Sequence, residues 1–141
     1  MTEREIVERM LSLERRIKDL ERRPGPGVWV DYSTTSTITG WSAYTNRYIY
    51  YMRTGNLIFV TFLIGGTSGS TEAKFTLPFT AATNPNYRFL IRAQDNGGAY
   101  VLGLAFLSAA SNLVTTYKDL QGAVFTIGNT KYIAGQFCYA V

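Results

Sequence analysis

The chain has 141 residues, which is enough for one domain of ordinary size and a preceding helix. Seven of its 14 basic and six of its 10 acidic residues lie before residue 24, and the small, dispersed basic excess after that point excludes a nucleic-acid patch. With no histidine and one cysteine, Cys138, the chain has no disulfide framework, zinc cluster or thiol–imidazole pair.

The first predicted element is a helix over residues 3–23, so that residues 1–23 form a trimerisation segment. Its large apolar residues recur with alternating gaps of four and three, which is the spacing of a coiled-coil heptad repeat. These residues are Ile6, Met10, Leu13, Ile17 and Leu20. Met10 and Ile17 occupy the a positions, and the other three occupy the d positions.

Charged residues flank this apolar seam in a pattern that favours a parallel assembly. In a parallel coiled coil, each g residue faces the e residue five places further along the neighbouring chain. Arg9 therefore faces Glu14, and Arg16 faces Glu21, whereas an antiparallel pairing sets arginine against arginine. Both pairs also resemble the Arg-apolar-x-x-apolar-Glu signature of short trimeric coiled coils, which implies a homotrimer.

Other readings of this helix stay open at this point. Met10 and the leucines are compatible with a dimer. A monomeric helix packed on its own domain normally has a wider apolar stripe, and a membrane-surface helix has a polar face dominated by basic residues. A seam of about three heptads is marginal alone, so we expect the following domain to help hold the copies together.

Residues 24–27 form a Pro/Gly linker, because proline blocks helix continuation and the alternating glycines give an extended connector. From residue 28 the pattern changes to the period of β-strands, and residues 28–141 are predicted as a β head. Strands or extended segments are expected at 28–33, 33–39, 44–53, 57–64, 74–77, 87–94, 99–107, 113–117, 124–127 and 131–141.

Turn signals separate these strands. Hairpin turns are expected at 54–56 and 95–98, and a loop at 65–70. The strands at 57–64 and 99–107 are apolar on both faces, and Gly103 predicts a bulge or close approach in the second. The fold class is therefore mainly β: an antiparallel sandwich or jelly roll after a parallel trimeric coiled coil. Surplus apolar surface on the two strands suits a head whose sides pack against identical neighbours.

Nothing in the head predicts catalysis, a cofactor or a metal site. Its four carboxylates are Asp31, Glu72, Asp95 and Asp119, and the last three fall in or beside turns. Glycan hydrolysis needs two carboxylates in one cleft, and a serine nucleophile needs a base that the chain lacks. Cys138, near the end of an apolar strand, is expected to be a small buried hydrophobe.

Aromatic residues are abundant, with ten Tyr, eight Phe and two Trp. We expect the phenylalanines at 59, 62, 75, 89, 106, 125 and 137 to form the core. The alternation over 44–53 places Tyr44, Tyr48 and Tyr50 on one face and Tyr51 on the other. Together with Trp41 these tyrosines are the candidates for a subunit interface or for rings on which a sugar or a partner's side chains stack.

The segment from Trp41 to Phe79 resembles β-rich tip modules of bacteriophage tail fibres and other virion-surface proteins. In those modules a strand opens with Gly-Asn, as at 55–56 here, and a later strand closes with Phe-Thr-Leu-Pro, as at 75–78. A short trimeric coiled coil ahead of a β head is similar to the same class. The resemblance implies a scaffold and no catalytic residue.

The sequence therefore predicts a homotrimeric virion protein, most simply a tail-fibre or receptor-binding protein that contacts a host glycan or protein through its head. It would be made in the host cytoplasm, would dock on other virion proteins through its amino terminus, and would have no signal peptide or membrane-inserted segment. Because the coil starts almost at residue 1, no separate anchoring domain is expected. The alternatives are a capsid decoration or head-fibre protein, and a glycan-degrading enzyme with an intersubunit site.

Overall fold

The computed structural model describes residues 1–22 and 27–141. The predicted Pro/Gly linker therefore lies, apart from Gly27, outside the described residues. One helix, α1 (Glu3–Arg22), precedes nine strands. The strands are β1 (Val30–Asp31), β2 (Ile38–Thr39), β3 (Trp41–Thr54), β4 (Leu57–Ser68), β5 (Lys74–Thr76), β6 (Tyr87–Gln94), β7 (Val101–Leu107), β8 (Leu113–Tyr117) and β9 (Thr130–Ala140).

All nine strands belong to one antiparallel sheet with the order β1-β3-β4-β9-β6-β7-β8-β5-β2. The sheet curls strongly. The strands β4 and β5 are third and eighth in the order, yet the rings of Phe62 on β4 and Phe75 on β5 lie 4.8 Å apart. The mainly β, antiparallel prediction is thus confirmed. The division into the two sheets of a sandwich is not confirmed, since the strands form a single continuous sheet.

The core fills the inside of this curl. The inner face of β4 contributes four residues that are at most 3% exposed, at alternate positions 58, 60, 62 and 64. Phe75, Phe125 and Phe137 join them, as predicted, together with Tyr139, which donates a hydrogen bond to the carbonyl oxygen of Phe79 at 2.9 Å. Phe59 and Phe106 were predicted in the core, but the strand registers place both on the outer face.

The prediction of which face each tyrosine of β3 occupies is wrong for Tyr44. Tyr48 and Tyr50 pair with Leu63 and Thr61 on the outer face, but the register of β3 against β4 shifts twice between Trp41 and Asn46. Each shift inserts one extra residue into β3, so Tyr44 points to the same side as Trp41 and Arg47. A residue-by-residue alternation cannot detect such bulges.

Glycine makes this irregularity feasible. Gly66, opposite Tyr44, has φ +153°, and a Cβ there would collide with the carbonyl oxygen of Ala43. The predicted loop at 65–70 is therefore wrong in its first half, because β4 continues through both glycines to Ser68. The predicted close approach at Gly103 is confirmed, since a Cβ there would lie 2.9 Å from the Cβ of Ala93.

Two further predictions are corrected by the structure. Residues 124–127 form no strand, although Phe125 is buried and its N–H donates to the carbonyl oxygen of Thr71. Cys138 is half-buried on the outer face of β9, opposite Phe59, and not in the core. The predicted strands at 87–94 and 113–117 are confirmed without change.

A buried lysine holds one corner of the head together. Lys131 on β9 has 0% exposure, and its ammonium donates to the carbonyl oxygens of Gly40, Glu72 and Ser70 at 2.6, 2.6 and 3.1 Å. The ammonium also lies over the ring of Trp41 at 4.5 Å, and the indole N–H of Trp41 donates to the Lys131 carbonyl oxygen at 3.1 Å. One side chain thus joins the start of β3, the segment after β4, and β9.

We expect Lys131→Met to lower the free energy of unfolding by about 2–4 kcal/mol at pH 7, because three carbonyl oxygens lose the charged donor that the buried side chain supplies. Chemical denaturation followed by tryptophan fluorescence measures this loss. Lys18→Met, on the exposed helix, removes the same charge and should cost less than about 0.5 kcal/mol.

The pH dependence gives a second readout of the same variant. Burial lowers the pKa of Lys131 from 10.5 to about 8, although the negative charges of Asp95 and Glu72 act to raise it. Between these values the unfolded chain keeps this proton and the folded chain has released it, so stability rises with pH. The advantage of wild type over Lys131→Met should grow on the order of 2–3 kcal/mol between about pH 7.5 and pH 10. A stability difference between the two proteins that stays constant or falls over this range contradicts the prediction. Burial also raises the pKa of Tyr139, but both proteins contain this residue, so its contribution cancels in the difference.

Candidate assembly and contact surfaces

The apolar seam of α1 has no partner within the described chain. Ile6, Met10, Leu13, Ile17 and Leu20 are 45–65% exposed, and each residue from 1 to 21 falls in the exposed class. The helix is thus not packed on its own head in this structure, in contrast to the monomeric alternative. An amphipathic helix that leaves its apolar stripe in water gains little from tertiary packing.

Local interactions explain why the segment is helical. The N–H of Glu5 donates to the Thr2 hydroxyl at 3.2 Å, while the N–H of Thr2 donates to the Glu5 carboxylate at 3.2 Å. This reciprocal pair is a capping box, which satisfies two donors at the start of the helix. Arg4 and Glu8 form an exposed ion pair one turn apart, worth only a few tenths of a kcal/mol.

The four residues predicted to pair between chains form no ion pairs with other described residues. Arg9 and Arg16 lie on one side of the seam, and Glu14 and Glu21 lie on the other, and each is exposed. The only ion pair within the helix, among the residues that the structure describes, is the one between Arg4 and Glu8. The seam and its flanking charges therefore remain available for contact with another chain.

The five aromatic candidates separate into three groups. Trp41 is 9% exposed, and its ring stacks against that of Tyr44 at 6.4 Å, with Arg47 over the other ring at 5.0 Å. Tyr51 lies on the core side, edge-on to the rings of Tyr32 and Phe79 at 6.1 and 5.5 Å. The aromatic set is therefore not one continuous surface, since the rings of Trp41 and Tyr51 pack against other rings of the same chain.

Tyr48 and Tyr50 remain on the outer face of the sheet. Tyr48 is 48% exposed and lies opposite Leu63, while Tyr50 is half-buried opposite Thr61. These two tyrosines, together with Tyr44 at 39% exposure, are the members of the predicted set that a partner can reach.

The outer face of the sheet carries two apolar strips on the strands that were predicted to be apolar on both faces, β4 and β7. We name the first the β4 strip, formed by Phe59 and Leu63 with Tyr48 beside them. We name the second the β7 strip, formed by Leu90, Leu102 and Leu104. Leu90 and Leu102 are 62% and 59% exposed, and the outer residues of β9, among them Ala134, Gln136 and Cys138, lie between the strips.

A shallow apolar hollow of about 300 Å³ adjoins the β4 strip. It is lined by Trp29, Met52, Phe59 and Cys138 among others, and Trp29 is 49% exposed. Residues 27–29 thus run across the outer face of the sheet just after the stretch that joins the head to the helix. The hollow holds few polar groups that could orient a small ligand.

The opposite end of the head carries a cluster of joined loops around Asp95. Its carboxylate accepts hydrogen bonds from the N–H and hydroxyl of Thr126, both at 2.8 Å, and pairs with Lys118 at 3.0 Å. Burial alone would raise the pKa of Asp95, but these hydrogen bonds and the lysine charge outweigh it and lower that pKa. The turn at 95–98 is further tied to β9, since the N–H of Gly97 donates to the carbonyl oxygen of Thr130 at 3.0 Å.

The remaining carboxylates of the head also have local structural contacts. Glu72 pairs with Lys74 at 2.7 Å, and Asp119 accepts from the N–H groups of Gln121 and Ala123, both at 3.0 Å. The Asp31 carboxylate accepts from the Ser33 N–H at 2.9 Å, and hydrogen bonding to Ser33 lowers its pKa. In the described parts of the chain, no group of three acidic or cysteine side chains is placed to hold a metal ion.

Neither family models nor curated proteins match this chain. Within residues 1–22 and 27–141, no helix is both long and apolar enough to cross a membrane.

Proposed function

We propose that this protein is a homotrimeric structural protein of a bacteriophage virion, in which a parallel coiled coil of α1 joins three β heads that contact the host cell surface. The observation that carries the trimer is the exposed apolar seam with its matched flanking charges. Five apolar side chains at heptad spacing have no partner among residues 1–22 and 27–141 of their own chain, and identical copies supply the complementary surface.

The arrangement of the head suggests which end makes the host contact. Residues 27–31 lie beside Met52, near the end of the sheet where β3 turns into β4. The loop cluster around Asp95 lies at the other end, some 10 residue steps away along β4 and β9, or about 30 Å. These tied polar loops are farthest from the coiled coil, so in our proposal they face outward from the virion.

The seam can be tested with a matched pair of substitutions. Leu13→Asp puts a charge on the seam, while Leu11→Asp puts the same charge at a b position with similar exposure, 49% against 56%. We expect Leu13→Asp to give monomers at micromolar concentration and Leu11→Asp to remain trimeric, as measured by light scattering. If both variants behave like wild type, the seam does not hold the copies together; a wild-type monomer overturns the proposal.

Charge reversal tests the parallel orientation. Arg9→Glu combined with Arg16→Glu sets like charges across the seam, and we expect dissociation to occur at a roughly 10-fold or higher protein concentration. Adding Glu14→Arg and Glu21→Arg restores opposite pairs in a parallel trimer and should recover most of the loss. No recovery in the fourfold variant, measured by analytical ultracentrifugation, argues against parallel pairing.

If three heads contact one cell, the trimer should bind cells more tightly than a single head does. Labelled wild-type trimer should bind intact cells of the propagating bacterium at least ~10²-fold more tightly than the Leu13→Asp monomer, because linked heads raise the effective concentration. Flow cytometry measures both. Absence of cell binding together with co-purification on empty capsids supports the decoration role, and release of reducing sugar from envelope polysaccharide supports an enzyme.

A further inference from the structure

We propose that the outer face of the sheet is a second interface between copies of this chain, in which the β4 strip of one head packs against the β7 strip of the next. This inference rests on the homotrimer proposed above and adds a contact between the heads. The starting observation is that both strips are apolar and partly accessible in a single chain: Tyr48, Leu90 and Leu102 are exposed, while Phe59, Leu63 and Leu104 are half-buried. Exposed apolar patches of this kind mark interaction surfaces.

The charges beside the strips favour contact between unlike strips. Arg88 and Arg92 alternate with Leu90 along β6 on the outer face, and both are exposed. Each guanidinium lies over a ring of its own chain, that of Phe106 at 5.1 Å and that of Tyr100 at 3.9 Å, and neither forms an ion pair with another described residue. Two β7 strips facing each other would bring arginines together, which is unfavourable.

The β4 strip offers the β7 strip an uncharged surface. Its residues and their outward neighbours on β3 and β9, including Tyr50 and Ala134, carry no charge. The hydroxyl of Tyr48, which is 48% exposed, can accept a hydrogen bond from a neighbouring arginine. Contact of two different strips is also what a closed ring of three requires, because a head-to-tail interface closes by rotation.

The chain connection places the β4 strip near the common axis. Met52 lies opposite Phe59 on the outer face, and its sulfur is 4.0 Å from where a Cβ on Gly27 would lie. The five residue steps from residue 22 to residue 27 span at most ~18 Å, and coiled-coil helices lie within roughly 10 Å of their axis. A head of this size is about 35 Å wide, so the face on which the chain enters lies toward the axis.

The native cysteine reports on this contact. Cys138 is the single cysteine of the chain and lies on the outer face of β9, opposite Phe59. We expect a maleimide to label it at least ~10-fold more slowly in the wild-type trimer than in the Leu13→Asp monomer, because a neighbouring head covers it. Mass spectrometry gives the rates, and light scattering on the same samples gives the oligomeric state.

The two proposals fail in different ways in this experiment. A wild type that is trimeric but labels as fast as the monomer overturns the head contact and leaves the coiled coil intact. A wild type that is monomeric overturns the trimer itself.

A pair of substitutions tests which strips meet. Leu63→Lys places a positive charge on the β4 strip opposite the arginines, and Leu102→Glu places a negative charge on the β7 strip. Each alone should raise the concentration at which trimers dissociate by ~10-fold or more, and the double variant should recover most of this loss because the introduced charges attract. If like strips meet, the double variant is instead the weakest.

The matched control is Ile127→Lys. Ile127 is 60% exposed, close to the 59% of Leu102, but it lies in the loops near Asp95 and away from both strips. We expect this variant to dissociate like wild type. An effect as large as that of Leu63→Lys would mean that added charge, and not its place on the strip, weakens the trimer and would overturn the inference.

Discussion

A curled sheet within one chain can bury only its inner face, and this constraint shapes the whole molecule. The strands β4 and β7 are apolar on both faces, so their outward side chains stay exposed or half-buried when the chain is alone. Leaving a large apolar side chain exposed forgoes about 1.5–3 kcal/mol of burial energy. For the two strips and the helix seam together, the forgone energy is comparable with the stability of a whole domain. In our proposal, a neighbouring head covers these side chains.

In our proposal, contacts between helices and contacts between heads together bury this apolar surface. A coiled coil of about three heptads is marginal alone, and an isolated contact between two heads of this size is weak. The connection between them is four residues long, so formation of either contact places the other at millimolar effective concentration. Neither surface needs to be strong, because each reduces the entropic cost of forming the other.

Local patterning predicted most of the strands and failed where the backbone departs from regular geometry. Strands β6 and β8 follow directly from alternation bounded by turn residues, and the hairpin at Gly55 follows from a glycine that adopts a positive φ. The face of Tyr44 could not be predicted, because two bulges in β3 depend on the pairing with β4 and not on the residues of β3 itself. The strand predicted at 124–127 is apolar for a different reason: Phe125 fills the core from a segment without strand pairing.

The candidate surfaces show the same division between local pattern and tertiary context. The heptad seam is visible from spacing alone, because a helix repeats its faces without reference to the rest of the chain. The β4 and β7 strips each lie on a hairpin of consecutive strands, but their closeness depends on β9, which pairs between β4 and β6 in an order that is not that of the sequence. Trp41 was a candidate for an exposed ring, but the Lys131 carbonyl and ammonium engage its indole from a strand 90 residues away.

Lys131 illustrates why composition alone does not assign such roles. It is one of seven basic residues in the head, and nothing adjacent to it in sequence marks it as buried. Where the chain passes from β2 to β3 and from β4 to β5, the carbonyl oxygens of Gly40, Ser70 and Glu72 converge. An ammonium group has three donors and can serve all three, whereas a hydroxyl has only one. The desolvation of one charge, which lowers the pKa of Lys131, is therefore only partly offset by its three carbonyl acceptors.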